Sequence, residues 1–370
     1  MEFTISKQDL AKELSLSQGV VEKKTTIPVL SNVFLEAQGE ELSLTSTDLE
    51  LWVRCVCPAQ VKHAGASTLP ARKLLDYVRL LPDAELAVKI GENHAASITC
   101  GRSRTRMAGL SRENFPELPR MPAPVAQIPG GLLSGLITKT VFAISTEGAR
   151  YTLNGALLLL KPESITMVAT DGHRLAFVEA ACQFEGIGGQ LRALVPKKAL
   201  VEIQRLSEEA GPNQPVALSS DENHLFFQFG LRLLATRKLT GQFPDYERVL
   251  PRENETPVVL NRDELASAIR RVSQFADERS HAIRLAMGAG ELKLAGSGSE
   301  TGESEETLPI DAAIPQVQIG FNAQYFLDFL GAVASENVRL EVKDEQSAGQ
   351  MRPAGELDHN YRYVVMPMRI

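Results

Sequence analysis

The apolar residues of the chain recur at helical spacing in two series of segments. In the first series, two apolar residues stand four positions apart and so share one face of a helix. The segments with this spacing are ISKQDLAKELSL with Leu10 and Leu14, GGLLSGLITKTVF with Leu132 and Leu136, and NRDELASAIRRVSQF with Leu265 and Ile269. The pattern predicts one amphipathic helix in each third of the chain.

The second series consists of three helix-like segments at a constant interval. TLPARKLLDYVRLLP contains Pro70, ALVPKKALVEIQRL contains Pro196 and IGFNAQYFLDFLGAV contains Asn322, each 126 positions from the next. Proline suits the first turn of a helix, and asparagine suits the N-cap. We therefore expect a second helix in each third, with Asn322 as the N-cap of the last one.

Strand-like alternation fills the sequence between these helices. LSLTSTDLELWVRCVC and ITMVATDGHRLAFVEAAC both alternate, turn at Thr-Asp and alternate again, and Thr47 and Thr170 are 123 positions apart. In the third copy, the turn is replaced by a segment that contains Glu300, Glu303, Glu305 and Glu306. Gly, Ser and Glu without apolar periodicity predict a solvated loop at this place.

Two proline-containing segments, NFPELP and QFPDYERVLP, follow the first two copies and predict connectors between domains. Their residues Phe115 and Phe243 are 128 positions apart, close to the interval of the other repeated features. The chain is therefore predicted to be an α+β protein of three repeated domains, each with two helices and antiparallel sheets. The predicted domains are residues 1–123, 124–253 and 254–370.

Composition places the chain among globular proteins, with 44% hydrophobic and 23% charged residues. It has no apolar run of about 18 residues, and its first residues lack the basic and then apolar stretch of a signal peptide. A cytoplasmic location is expected. Cys55 and Cys57 stand two apart and no His or Cys cluster completes a zinc site, so we expect buried cysteines and neither a metal nor a cofactor.

The segment ATDGHRLA, residues 169–176, brings Asp171, His173 and Arg174 together beside a glycine. One hypothesis is a hydrolase that uses His173 and Asp171, but no motif supplies the third group that would orient a base. The simpler interpretation is a tight turn between two strands, in which Gly172 permits a positive φ. A third hypothesis is a monomeric scaffold of three repeats that does not bind DNA.

Four separated motifs resemble one known family in the same order along the chain. They are YTLNG at 151–155, TDGHRL at 170–175, FPDYERVLP at 243–251 and YVVMPMRI at 363–370. The chain resembles the bacterial DNA polymerase III β subunits, the sliding clamps. The resemblance implies a non-catalytic processivity factor whose head-to-tail homodimer forms a six-domain ring, with twelve helices around duplex DNA.

The resemblance also resolves a difficulty with charge. A net charge of −7 argues against binding to phosphates, but basic residues gathered on the inner helices would bind DNA without regard to sequence. Solvated helix faces are the alternative for each of them. The implied DNA-binding residues are Lys24, Arg72, Tyr151, Thr152, Lys197, Lys198 and Arg205. Further basic candidates on the helices are Lys7, Lys12, Lys73, Arg79, Lys139, Arg270 and Arg271.

The family binds polymerases, the clamp loader and repair proteins through short motifs with Gln and bulky apolar side chains. Met suits such a surface because its side chain is adaptable. The matching pocket positions are Leu153, Thr170, Gly172, His173, Arg174, Leu175, Pro244, Arg248, Val249, Asn322, Tyr325, Val364, Met366, Pro367, Met368, Arg369 and Ile370. The matching positions of the dimer interface are Arg104, Thr105, Met107 and Phe275.

Overall fold

The structure is a computed structural model, and it describes residues 1–22, 25–184, 187, 189–251, 257–298, 302–311, 316–355 and 358–369. Lys24 and Ile370, both predicted site residues, lie outside the described residues. None of the helices in the described part of the chain has the length and apolar character that a membrane span requires.

Six α-helices form within the described residues, two in each predicted repeat. They are α1 (Lys7–Ser17), α2 (Ala71–Leu80), α3 (Gly130–Thr138), α4 (Lys197–Ala210), α5 (Arg262–Ser273) and α6 (Ala323–Ala332). The side chain of Asn322 accepts a hydrogen bond from the backbone N–H of Gln324, so the predicted N-cap of α6 is confirmed. The two helical series read from the sequence are therefore both confirmed.

The strands follow the same threefold division. The first third contains β1 (Glu2–Ser6), β2 (Asn32–Gln38), β3 (Glu41–Thr47), β4 (Leu51–Pro58), β5 (Gln60–His63), β6 (Gly65–Pro70), β7 (Glu85–Ile90), β8 (Ala96–Cys100) and β9 (Ser103–Met107). The second contains β10 (Ala126–Pro129), β11 (Gly155–Lys161), β12 (Ser164–Thr170), β13 (Arg174–Ala181), β14 (Leu191–Pro196), β15 (Pro215–Ser220), β16 (His224–Phe229) and β17 (Arg232–Arg237). The third contains β18 (Val258–Asn261), β19 (Ala282–Gly288), β20 (Glu291–Gly298), β21 (Gly302–Pro309), β22 (Val317–Asn322), β23 (Asn337–Glu341), β24 (Gly349–Pro353) and β25 (His359–Val365).

The chain divides into two compact units, and the first comprises Met1–Ser134 and Lys198–Lys238. It holds a five-stranded sheet in the order β5-β1-β7-β8-β9 and an eight-stranded sheet in the order β10-β15-β16-β17-β4-β3-β2-β6. Leu10 and Leu14 of α1 pack with Leu74 and Val78 of α2 in one hydrophobic core. The predicted apolar faces are thus the faces that this unit buries.

The second unit comprises Gly135–Lys197 and Leu239–Ile370. Its eight-stranded sheet has the order β14-β11-β12-β13-β25-β24-β23-β18, and its four-stranded sheet has the order β21-β20-β19-β22. In α6, the ring of Phe329 stacks on Tyr363 with 5.2 Å between centroids. The middle third supplies strands to both units, and the division into three domains at residues 123 and 253 stays a prediction.

The acidic segment of the third repeat differs from the prediction. It was expected to be a solvated loop, but residues 302–309 form the edge strand β21, which pairs along its length with β20. Exposure alternates along the strand, with Glu303 and Glu305 exposed and Glu306 half-buried. Glu306 forms a two-pronged ion pair with Arg271 of α5, at 2.6 and 3.0 Å. For residues 302–309 the loop prediction was wrong, because the inward positions are Ser304, Glu306 and Leu308, and a single apolar residue gives the alternation little apolar signature. Glu300 lies outside the described residues.

Cys55 and Cys57 lie on β4 and are 0% and 4% exposed, so their prediction as buried small residues is confirmed. Burial is the main reason that the pKa of Cys57 is raised to about 12, with a smaller contribution from the nearby Glu13 carboxylate. Burial also raises the pKa of Cys55. Both thiols therefore stay protonated at neutral pH and act as packing groups.

Candidate functional site

The segment TDGHR forms a tight turn between β12 and β13. The Asp171 carboxylate accepts hydrogen bonds from the backbone N–H groups of His173 (2.9 Å) and Arg174 (3.0 Å). The hydroxyl of Thr170 accepts from Gly172 N–H at 3.1 Å, and Gly172 has a φ of 91°. These contacts confirm the turn and occupy the carboxylate that the hydrolase hypothesis requires.

Arg174 ties this turn to the rest of the second unit. Its guanidinium donates to Asp171 at 3.0 Å, to the carboxylate of Asp328 on α6, and to the carbonyl of Phe142 at 2.6 Å. It also lies over the Tyr325 ring, 4.4 Å from the centroid. The side chain is only 9% exposed, so these acceptors replace the water that the cation has lost. Arg174 therefore positions the turn and α6 as one element.

Arg150 supports the turn from its other side. Its guanidinium donates to the Asp171 carbonyl at 2.6 Å and pairs with Glu147 at 3.2 Å. A Cβ atom at Gly172 would lie 2.6 Å from the Arg150 Nη1 atom. No local pattern in the sequence links Arg150, Phe142 or Asp328 to the turn, so these residues were not predicted.

An apolar floor lies beside this turn, and it gathers several predicted pocket residues. The buried members of this apolar floor are Leu157, Val168, Leu175, Phe177, Leu194, Phe243, Tyr246 and Val364, and its half-buried members include Leu153, Leu239, Val249 and Leu250. The rings of Phe177 and Tyr246 are 5.9 Å apart. Half-buried apolar side chains above a buried layer are available to a ligand.

Gly155, the last residue of the YTLNG motif, stands where two strands approach closely. A Cβ atom there would be 2.2 Å from the carbonyl oxygen of Val195 on β14. Glycine is therefore required for β11 to pair with β14 under the apolar floor. This packing explains the glycine of the motif, and Leu153 of the same motif packs against the floor.

The C-terminal residues lie along the same region. Strand β25 ends at Val365, and the next residues are held by bonds from Met366 N–H to the His173 carbonyl and from Met368 N–H to the Gly320 carbonyl, both 2.8 Å. Met366 is 39% exposed. The segment is therefore a core strand only up to Val365, and the residues beyond it do not continue that strand.

The other predicted pocket residues are placed as follows. Pro244 and His173 are exposed, and the Arg248 side chain is 82% exposed and pairs with Asp245 at 2.7 Å. The Asn322 side chain caps α6 and also donates a hydrogen bond to the Ser280 carbonyl at 3.2 Å. Pro367 is half-buried and Arg369 is exposed.

Some of the predicted DNA-binding side chains are exposed, whereas others already bind groups within the protein. Arg72 is exposed on α2, Tyr151 is 55% exposed and Thr152 is half-buried. Lys198 binds the Val20 carbonyl and the Asp48 carboxylate, while Arg205 binds Glu202 at 3.0 Å and the Ser15 carbonyl at 2.8 Å. Burial, followed by the nearby Arg174 cation, lowers the pKa of Lys197.

The predicted interface residues lie at an open sheet edge and at a helix end. Arg104, Thr105 and Met107 belong to β9, the last strand of the five-stranded sheet. Arg104 is exposed, Thr105 is half-buried and Met107 is buried. Phe275 follows α5 and is 36% exposed.

Comparison with known proteins accounts for the whole chain. Models of the DNA polymerase III beta subunit match residues 1–119 with the N-terminal domain, 127–245 with the central domain and 247–369 with the C-terminal domain. The chain belongs to the DNA polymerase III beta subunit family. The beta sliding clamp of Pseudomonas putida is 38% identical over 375 residues, with full coverage of both chains.

Solved structures of this family have the same fold. The sliding clamp of Pseudomonas aeruginosa bound to griselimycin is 36% identical, with full coverage of both chains and a TM-score of 0.94. The polymerase III beta subunit of Caulobacter crescentus is 35% identical, again with full coverage of both chains, and has a TM-score of 0.91. The family consists of non-catalytic processivity factors, so the chain is a DNA sliding clamp of replication and the hydrolase hypothesis is wrong.

Proposed function

We propose that two copies of the chain close head to tail into a ring around duplex DNA. In this proposal, the ring tethers polymerases, the clamp loader and repair proteins through short Gln-containing apolar motifs that occupy the apolar floor. Membership of the family implies DNA and polymerase as partners. The proposal includes the ring, the tethering pocket and the cytoplasmic location. It also includes the division into three domains, 1–123, 124–253 and 254–370.

The complementary charge of two sheet edges carries the proposal of a ring. Edge strand β9 presents Arg104 and Arg106 on one exposed face, and edge strand β21 presents Glu303 and Glu305 on one exposed face. Open edges invite pairing with another strand, and opposite charges select the partner. If β9 of one copy pairs with β21 of the other, both edges are covered and the assembly closes with twofold symmetry.

The DNA contacts that we favour are those with side chains still available to phosphates. Within the described residues, no carboxylate forms an ion pair with Arg72 or Lys73, whereas Lys198 and Arg205 already have acidic partners. Arg72 and the exposed Tyr151 are therefore better candidates than Lys198 and Arg205 of α4. Such contacts read no sequence, which suits a protein that slides.

The apolar floor suits a short peptide because apolar side chains are half-buried at its rim. Leu153 and Val249 are half-buried against it, and Arg174 keeps the TDGHR turn at its border. Met366, whose N–H is bonded to His173 of that turn, is 39% exposed. An extended segment with large apolar side chains would cover these groups and remove them from water.

The topological part of the proposal is tested on circular DNA. The protein is loaded on a nicked circle by a clamp loader, and the circle is then linearised. We expect the protein to leave through the free ends, and to remain when both ends are blocked by bound proteins, because a closed ring is held by topology. Retention on open linear DNA would contradict the proposal.

Removing residues 366–370 tests the peptide pocket. We expect this truncation to abolish stimulation of the polymerase, because Met366 is exposed and its N–H is bonded to His173 of the TDGHR turn, which lies beside the apolar floor. The native mass is the control, and it should remain that of a dimer. Undiminished stimulation would show that partners bind elsewhere.

A further inference from the structure

The first unit contains a second copy of the turn that borders the apolar floor. Thr47 accepts from Leu49 N–H at 2.9 Å, and Asp48 accepts from the N–H groups of Glu50 (3.0 Å) and Leu51 (2.7 Å). Leu49 has a φ of 80°, close to the 91° of its counterpart Gly172. The two eight-stranded sheets also match in strand order, with β2, β3, β4 and β17 in the places of β11, β12, β13 and β25.

The pairing registers make the equivalence residue by residue. In the first unit Thr47 pairs with Trp52, and in the second unit Thr170 pairs with Leu175 at the same place in the hairpin. In the neighbouring strand pair, Phe34 faces Thr45 in the first unit as Leu157 faces Val168 in the second. By the same register, Arg54 takes the place of Phe177. Counting from Phe115 and Phe243 in the two connectors, Leu118 takes the place of Tyr246.

These replacements open a hollow in the first unit. In the second unit, Phe177 and Tyr246 pack together, but Arg54 is exposed and leaves that space unfilled. A hollow of about 560 Å³ lies here, between the strands and the connector. Phe34 and Phe115 line it as a stacked pair with 5.2 Å between centroids. Its volume is within the usual range for ligand sites, about 300–1,000 Å³.

Trp52 adds an unused hydrogen-bond donor beside the hollow. It is 5% exposed, and its indole N–H has no hydrogen-bond partner among the residues that the structure describes. Leu118 both lines the hollow and packs against the cluster of Trp52, Phe226 and Ala235. A buried donor without an acceptor is costly, so a ligand that displaces Leu118 and supplies an acceptor is favoured.

The charges around the hollow select the class of ligand. Arg54 and Arg112 line it together with three carboxylates, those of Glu36, Glu113 and Glu117. Mixed charge disfavours nucleic acid, which needs a basic surface, and a hollow of this size offers no broad apolar face to a membrane. A peptide combines apolar side chains with backbone acceptors, and a single acidic side chain can pair with Arg54.

We infer that this hollow is a second docking site, for an extended peptide segment of a partner protein. An apolar side chain of the segment packs on Phe34 and Phe115, a carbonyl accepts from the Trp52 indole, and a carboxylate pairs with Arg54. This site goes beyond the proposed function, because it lies in the first unit and does not use the apolar floor.

Trp52 is the only tryptophan of the chain, so its indole N–H gives a single cross-peak in a ¹H–¹⁵N spectrum. The probe is the blocked pentapeptide Ala-Leu-Asp-Phe-Ala, titrated into the full-length protein. We expect a saturable downfield shift of that cross-peak, with a dissociation constant on the order of 0.1–1 mM for so short a ligand. No shift at several times that concentration would overturn the inference.

Two variants and one truncation sharpen this test. Arg54→Gln removes the charge at an exposed position and should weaken the titration about fivefold, and Phe34→Ala should weaken it further. The protein without residues 366–370 should give the undiminished shift, since the second site does not use them. An equal response from Arg54→Gln and the unchanged chain would overturn the inference, whereas loss of polymerase stimulation concerns only the apolar floor.

Discussion

Replacing Arg104 and Arg106 by glutamate is expected to separate the ring into single chains. Arg104 and Arg106 are exposed on the same face of edge strand β9, and Glu303 and Glu305 are exposed on the same face of edge strand β21. In the proposed ring, these residues face one another, so the change turns attraction into repulsion at both seams. If each of the two seams loses about 2 kcal/mol of binding free energy, the dimer dissociation constant should rise on the order of a thousandfold.

The measurement is the native mass at micromolar concentration, with retention on circular DNA as a second readout. We expect the mass to fall from twice the chain mass of 40.4 kDa to a single chain. The matched control, Arg102→Glu with Arg120→Glu, makes the same change in net charge at exposed positions outside β9. Adding Glu303→Lys and Glu305→Lys to the first variant should restore the dimer. An unchanged mass in the first variant would place the seam elsewhere.

Arg174→Met is expected to destabilise the second unit by about 3 kcal/mol, because it removes the cation that donates to the carboxylate of Asp328 and to the carbonyl of Phe142. Methionine retains most of the apolar length of the side chain, so the loss reports the charged contacts. The turn at Asp171 should also loosen, and binding of a labelled Gln-containing apolar peptide should weaken.

Urea denaturation measures this effect, and Arg248→Met is its matched control. Arg248 also pairs with an aspartate three residues away, but its side chain is 82% exposed. Exposed pairs contribute little, so the control should change the free energy of unfolding by about 0.5 kcal/mol or less. Equal unfolding curves for Arg174→Met and the unchanged chain would contradict the role given to Arg174.

The sequence predicted those features that depend on neighbours along the chain. The helices followed from pairs such as Leu10 and Leu14, and the N-cap of α6 followed from Asn322. The turn at Asp171 and Gly172 was recognisable because short-range hydrogen bonds determine it.

Contacts between residues far apart in the sequence could not be predicted from local sequence patterns. Arg174 meets Asp328, 154 residues away, and Lys198 meets Asp48, 150 residues away, and nothing in either local pattern marks the partner. The acidic strand β21 escaped recognition for a different reason. Its inward residue Glu306 is stabilised by Arg271 and not by apolar burial, so hydrophobicity carried no signal.

The first unit is assembled from two separate stretches of the polypeptide, and this affects its synthesis. Its eight-stranded sheet needs β15, β16 and β17, which are translated after the first stretch ends at Ser134 and before the second ends at Lys238. At ribosomal rates, the wait is on the order of 5–20 s, during which β4 has no neighbour on one side. A nascent chain therefore exposes the strand that carries Trp52 until β17 emerges, and chaperones have that interval in which to bind it.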